Sequence, residues 1–499
     1  MAVSVLGHVL AAATQSATTP DGYSSWSDAM YESVTTEGRR GRMSALNALL
    51  AADDAVYDTS TLVDLADRLE DLPYDGAGAS STPSSIYGWY DDEYGFAYNE
   101  SLALQGYSMD PLYGVTMAMG NNPEAAFQYL NPDGQMNDGQ WVPGEQTEKR
   151  WKLLTDRDWD SDVGLDGFTA AMAGASSMRG SDNAETAAAA TWNVARSMEF
   201  AVDDVPFKEY TETMKENLSV VLANTADQGI NIATGGSPDG LGLSGDQDPA
   251  STYTTLIYRV IDNENAAVTV SSSFTNAVMD RYPDITDVNQ LEHKYQEVGS
   301  VYGYLNAIGS ERLTDLEDAS AAEQKAAKDA MGTALSVMAT VMGAGGVSGL
   351  AWDVGKTIVQ PIVVDELVPG DLPDIDDPIT TTRTTLQSQA YAEAVNQGLF
   401  TDPGAFDPGY LQDEHSGEPY SWYTGNEDGA SFNLDNPPTS EQNDQIHNWA
   451  TDIKPDHDPD NIVTDTNGAI SSGISDGQSR ILGEDGEGGE SGGIEIKKD

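Results

Sequence analysis

The sequence has no cysteine, which excludes disulfides, thiolate nucleophiles and cysteine-ligated zinc. Basic residues are also scarce. Among 499 residues, 24 Lys and Arg stand against 82 Asp and Glu, a formal net charge of −58. That is roughly one uncompensated negative charge every nine residues, a large self-repulsion for any compact state. Nucleic acid needs clustered cations to replace its counterions, so it is a poor partner here. An anionic lipid surface is equally disfavoured. The N-terminal stretch from Met1 to Thr14 carries no Lys or Arg before its apolar residues, so it lacks the charged start of a cleaved signal peptide. A buried N-terminal helix is the expectation there.

What is present suits a folded protein with a disordered part. Hydrophobic residues make up 39% of the chain. Gly and Pro, at 49 and 22 residues, stay below the share of roughly 25–30% that marks low complexity. The length allows two or three domains of about 100–200 residues each. Asp exceeds Glu about two to one, a balance that fits a salt-adapted protein or a secreted one equally well.

Apolar spacings of three and four recur along most of the chain, and the fold class they predict is all-α: a multi-helix array or bundle. Helices are expected over 44–53, 60–71, 147–155, 184–200, 205–222, 249–283, 286–309, 384–398 and 439–452. Residues 72–109 interrupt them with a Tyr- and Asp-rich loop. At 109–131 the local code is detailed. Asp110-Pro111 reads as an N-cap with a first-turn proline, Gly120 closes that helix, and Asn122-Pro123-Glu124 opens the next. Period-2 alternation is rare, with Ala267–Val270 the best strand candidate. The predicted organisation is an N-terminal helical domain over 1–235, a helical domain over 246–370 and a helix with a Pro/Gly/Asp-rich region over 371–454. A disordered acidic tail over 455–499 follows, because its Gly and Asp support no core.

Catalytic constellations are thin. His8, His293, His415, His447 and His457 lie far apart and share no metal-binding spacing. Ser237 and Ser244 sit in a Gly-rich loop that completes neither a nucleophile elbow nor a phosphate-binding loop. Asp156, Asp158, Asp160 and Asp162 alternate, as do Asp456, Asp458 and Asp460. Counted from Asp158 or Asp456, neither run has the glycine and glutamate that a calcium loop needs. No catalytic residue, metal ligand or cofactor site is therefore nominated, and a carboxylate-based hydrolase remains only an alternative.

One segment differs from its surroundings. No charge occurs between Asp329 and Asp353, and a second apolar stretch runs from Ile358 to Val364. An apolar Ala/Gly-rich helical hairpin over 330–364 is expected, divided at Gly345-Gly346. The charge-free run from Ala330 to Trp352 meets the length of a membrane span, but its five glycines and several hydroxyls favour burial among amphipathic helices. A membrane-inserting, pore-forming hairpin is the alternative, and no stable transmembrane anchor is expected.

The order Met109-Asp-Pro-Leu, Asn122-Pro-Glu-Ala-Ala-Phe, Trp151-Lys-Leu-Leu-Thr-Asp-Arg-Asp-Trp159 and Gly164-Leu-Asp-Gly-Phe resembles an uncharacterised actinobacterial helical family. That domain of unknown function is associated with WXG-type, type VII secretion loci. The similarity spans roughly 30–400, although none of the nine Trp stands in a Trp-x-Gly pair. The resemblance implies a non-enzymatic secretion-associated or secreted helical protein that acts through protein–protein contacts, as the trafficking or scaffold part of a type VII-linked effector. It implies a secreted or cell-surface location, with the cytoplasm as the other possibility, and it supplies no site residues.

Overall fold

Helix caps written in the sequence set many of the element boundaries. The computed structural model describes residues 2–16, 18–35, 42–72, 108, 110–159, 163–243, 248–317, 319–343, 378–412, 417–426, 429–435, 438–483 and 493–498. The chain starts with α1 (Ala2–Thr14), α2 (Trp26–Thr35), α3 (Arg42–Leu50) and α4 (Thr59–Glu70). Then come α5 (Tyr113–Gly120), α6 (Pro123–Leu130), the strands β1 (Gly134–Asn137) and β2 (Gln140–Pro143), and α7 (Glu145–Thr155). Asn122 caps α6 by accepting from the Ala125 amide, with Pro123 in the first turn, as predicted. The predicted start at Asp110 falls early. The Asp110 carboxylate accepts from the Leu112 amide and from Arg157 at 2.7 Å, and α5 begins only at Tyr113.

The middle of the chain forms α8 (Gly164–Ser176), α9 (Ala184–Glu199), α10 (Glu212–Ala223), α11 (Ala226–Ala233), α12 (Pro249–Val260) and α13 (Glu264–Arg281). The helix predicted over 205–222 is shorter than expected. Phe207–Glu209 is a 3-10 turn, and Thr211 caps α10 through the Met214 amide. Ala267–Val270 is a correction: it lies inside α13, not in a strand. Residues Ala266 to Asn276 of α13 are all buried, so no face is turned to solvent and apolar residues need not recur at a 3.6-residue period.

Then follow α14 (Val288–Asp315), α15 (Ala321–Gly343), α16 (Pro378–Asn396), the strands β3 (Tyr423–Asn426) and β4 (Gly429–Phe432), α17 (Ser440–His457) and α18 (Ile462–Leu482). The protein is mostly helical, and its strands among the described residues form two short antiparallel pairs. The β1–β2 turn went unnoticed in the sequence, although Asp138-Gly139 with both φ positive is a strong hairpin signal. One hydrophobic core extends from Ala11 to Ile481. The first arm of the predicted apolar hairpin is α15, which packs on α13 and buries Ala330, Ala334, Leu335, Val337 and Met338. The second arm, with Gly345-Gly346, lies outside the described residues. So does most of the 72–109 loop.

The C-terminal tail is the main correction. Residues 462–482 form α18, which lies along α14 in the most extensive helix pairing among the described residues. Gly299 and Gly303 of α14 face Gly473 and Gly477 of α18, and the contacts advance together, so the helices run parallel. A Cβ at Gly303 would sit 2.1 Å from the Ile474 carbonyl oxygen, and one at Gly477 2.0 Å from that of Ser300. Only glycine lets the two backbones touch. Ile462, Val463, Ile470, Ile474 and Ile481 flank this seam and are buried. The Asp458 carboxylate accepts from the amides of Ile462 and Val463 and starts the helix.

Candidate functional site

Charged side chains inside a protein must be paired or they cost several kcal/mol each, so the interior ion pairs show where chemistry could be concentrated. Arg150 bridges Asp67 and Glu70 of α4, at 2.8 and 3.0 Å. It also lies 4.4 Å over the ring of Tyr129, whose hydroxyl donates to Glu70. Burial pushes the Glu70 carboxyl above its usual range even though Arg150 pulls it down. Lys215 and Arg312 converge on Asp262, at 2.8 and 2.6 Å. These groups join helices, and none of them lines a described cavity.

The exception is Lys294. Its ammonium donates to both Glu393 carboxylate oxygens, at 2.7 and 2.8 Å. The neighbouring Tyr295 hydroxyl donates to Glu393 Oε2 at 3.0 Å. Burial and the facing carboxylate hold that hydroxyl well above its ordinary pKa, so it stays a donor. The triad joins α14 to α16 and edges a cavity of about 380 Å³ that also exposes Gln389, Asn396 and Asp435. Asn396 is locked in place: its amide donates to the Phe432 carbonyl and accepts from the Phe432 amide. Lys294 and Glu393 neutralise each other. What the cavity offers a ligand is therefore amides and a second carboxylate, suited to a small polar molecule held by hydrogen bonds. A more open depression of about 470 Å³ beside α6 has one lining carboxylate, Glu124.

Residues weighed in the sequence are not brought together here. His8, His293 and His447 are exposed, as is Ser237. His457 Nδ1 lies 3.0 Å from Asp402 Oδ2, and that hydrogen bond holds the Asp402 carboxyl below its usual range. Asp458 is a buried helix cap, whereas Asp456 and Asp460 face solvent. His415, Ser244, Asp160 and Asp162 lie outside the described residues. No group of three or more His, Asp or Glu able to hold a metal occurs among the described residues. The Lys294–Glu393 pair escaped the sequence because 99 residues separate its members and neither stands in a motif. The only signal was Lys294 falling beside Tyr295 on the apolar stripe of a predicted helix.

No helix of the described residues is long and apolar enough to cross a membrane. No curated protein and no solved structure matches the chain. Comparison with known families matches residues 1–481 to a family of unknown function, DUF6571. With nearly its whole length covered, the chain belongs to the DUF6571 family.

Proposed function

We propose that the protein is a non-enzymatic helical scaffold that works by protein–protein contact. Where the cations go is the observation that supports this reading. Lys294, Arg150, Arg157, Lys215 and Arg312 are all drawn into ion pairs of little exposure that tie helices and loops to one another. The exterior of a chain with net charge −58 is thereby left dominated by carboxylates, a surface suited to basic protein partners and able to steer their approach. Val5, Leu6 and Val9 add an exposed apolar stripe on α1. The resemblance to a secretion-associated actinobacterial domain extends the proposal to export linked to type VII secretion and to a secreted or cell-surface location. Crosslinking in the source cells, followed by mass spectrometry, should recover partners joined through basic residues, with yields that fall as salt rises. Recovery of none would overturn the scaffold reading. Comparing export in wild type and in a strain lacking the type VII ATPase tests the second part, which fails if the two are equal.

A carboxylate-based hydrolase is the second reading, favoured by one observation: Glu393 and Asp435 line the same cavity. Two carboxyls in one cleft are what glycoside hydrolysis requires. A panel of chromogenic glycosides tests it. Turnover that Glu393→Gln abolishes would raise this reading above the first.

A further inference from the structure

Residues 493–498, Gly-Ile-Glu-Ile-Lys-Lys, lie at the end of the chain, where composition predicts disorder. Instead they lie against α12 and the end of α14. Ile494 and Ile496 pack on the core. Between them and beyond, the backbone is held by α12: Ser251 Oγ donates to the Glu495 carbonyl at 2.6 Å, and the Lys497 amide donates to Thr255 Oγ1 at 3.1 Å. Ser251 and Thr255 are one helical turn apart, about 6 Å along the axis. Glu495 and Lys497 are two residues apart in the strap, about 6.7 Å if extended. The two spacings match, so a pair of buried hydroxyls on a helix holds a peptide main chain much as a sheet edge would.

The side chains supply selectivity. Lys497 pairs with Asp203 at 2.6 Å. Lys498 pairs with Glu311 and Asp315, at 2.8 and 2.9 Å, and its ammonium lies 5.8 Å from the Tyr258 ring centre. The strap is tied to α18 by the Ile494 amide, which donates to the Arg480 carbonyl. All three ion pairs are partly exposed, so salt weakens them.

We propose that the groove between α12 and the end of α14 is a peptide-recognition site that the chain's own C-terminal strap occupies in competition with a partner. The partner is a segment of another protein with two apolar residues at alternate positions followed by two lysines. This deepens the scaffold reading and rests on it. Charge selects a foreign partner over a second copy: a body of net charge −58 attracts a cationic segment and repels its own kind. A tethered strap competes at an effective concentration in the millimolar range, so the groove opens fully only when the strap is displaced.

The test uses the full chain with Ile494→Asp and Ile496→Asp, which vacates the groove. Labelled peptide Gly-Ile-Glu-Ile-Lys-Lys, followed by fluorescence anisotropy, should bind this variant at least about tenfold tighter than it binds the wild-type chain. The peptide with glutamate in place of both lysines should lose that binding. Unchanged far-UV circular dichroism shows the body to be intact; if it is not, Lys497→Glu with Lys498→Glu carries the same test. Equal binding by both proteins, or equal binding of both peptides, overturns the proposal. A wild-type dimer whose strap crosslinks to the body of a second copy also overturns it. None of these results bears on the crosslinking of the exterior in cells, so the scaffold reading stands or falls separately.

Discussion

Helices α15 and α18 are both rich in small residues, yet composition assigns them opposite fates. The described part of α15 carries the first part of the long uncharged run and reads as core from its Leu, Val and Met alone. By contrast, α18 carries three glycines, four serines and two acids, and it reads as chain that cannot fold. Each buries one face, and along α18 the glycines bring backbone directly against the backbone of α14. Hydrophobicity measures the transfer of side chains from water, and it says nothing of how near two backbones can come. Where glycines repeat every fourth residue on two helices, dispersion and Cα–H···O contacts between backbones take the place of large side chains.

The comparison breaks first at its largest claim. Truncation after His457 should destroy cooperative unfolding, because five buried Ile and Val side chains at about 1.5–3 kcal/mol each exceed the stability of most domains. A thermal melt unchanged by the truncation would return α18 to the disordered tail that its composition suggests. Next in size is the ion pair beneath α16. Lys294→Ala should destabilise the protein by about 3 kcal/mol in urea, since it strands the Glu393 carboxylate, whereas Lys294→Met with Glu393→Leu should come close to wild type.

Glycine substitutions sharpen the comparison within single helices. Gly477→Ala and Gly303→Ala should each cost about 2 kcal/mol by forcing the α14–α18 seam apart. Gly468→Ala on α18 and Gly332→Ala on α15 meet nothing within 4 Å, so each should be neutral or stabilise by up to about 1 kcal/mol. Equal losses at all four sites would show that contact at the seam is not what glycine provides. A smaller effect concerns pH. Burial raises the Asp315 carboxyl, but hydrogen bonds from Lys498 and Tyr258 and the charges of Lys498 and Arg312 outweigh it, leaving the group below its ordinary value. A lowered carboxyl adds stability that is complete above the unfolded value and is lost as pH falls through the folded one. The strap should therefore stay docked at neutral pH and loosen below about pH 4, which proteolysis by pepsin at graded pH would reveal. The smallest expected effect is none: anionic liposomes should release no dye at pH 4 or pH 7. Efflux at pH 4 that Val341→Asp removes would instead show that the α15 run enters membranes.

Much of the helical array was legible because caps and stripes are local. Asn122-Pro123, Asn183 before α9 and Thr439 with Gln442 before α17 all cap as their residue types predict. Of the α14 stripe of Val288, Leu291, Tyr295, Val298, Val301, Tyr302 and Leu305, all but the half-buried Val288 in the first turn are buried as their spacing requires. What escaped depends on partners distant in the chain. Val268 and Val270 look like strand because α13 is surrounded on every side. Gly473 and Gly477 look like disorder because their meaning lies in Gly299 and Gly303. Ile494 and Ile496 do alternate, a signal visible in the sequence, but the acidic glycine-rich stretch before them hides it. The candidate site was illegible for the same reason, since Lys294 meets Glu393 only after α14 and α16 have packed.

Hydrogen exchange tests the glycine seam most directly. Amides of residues 466–482 in the full chain should exchange as slowly as those of α14 between Leu291 and Ile308, because both helices open only when the seam does. Exchange of the α18 amides at the rate of an unstructured chain, with α14 still protected, would contradict the account.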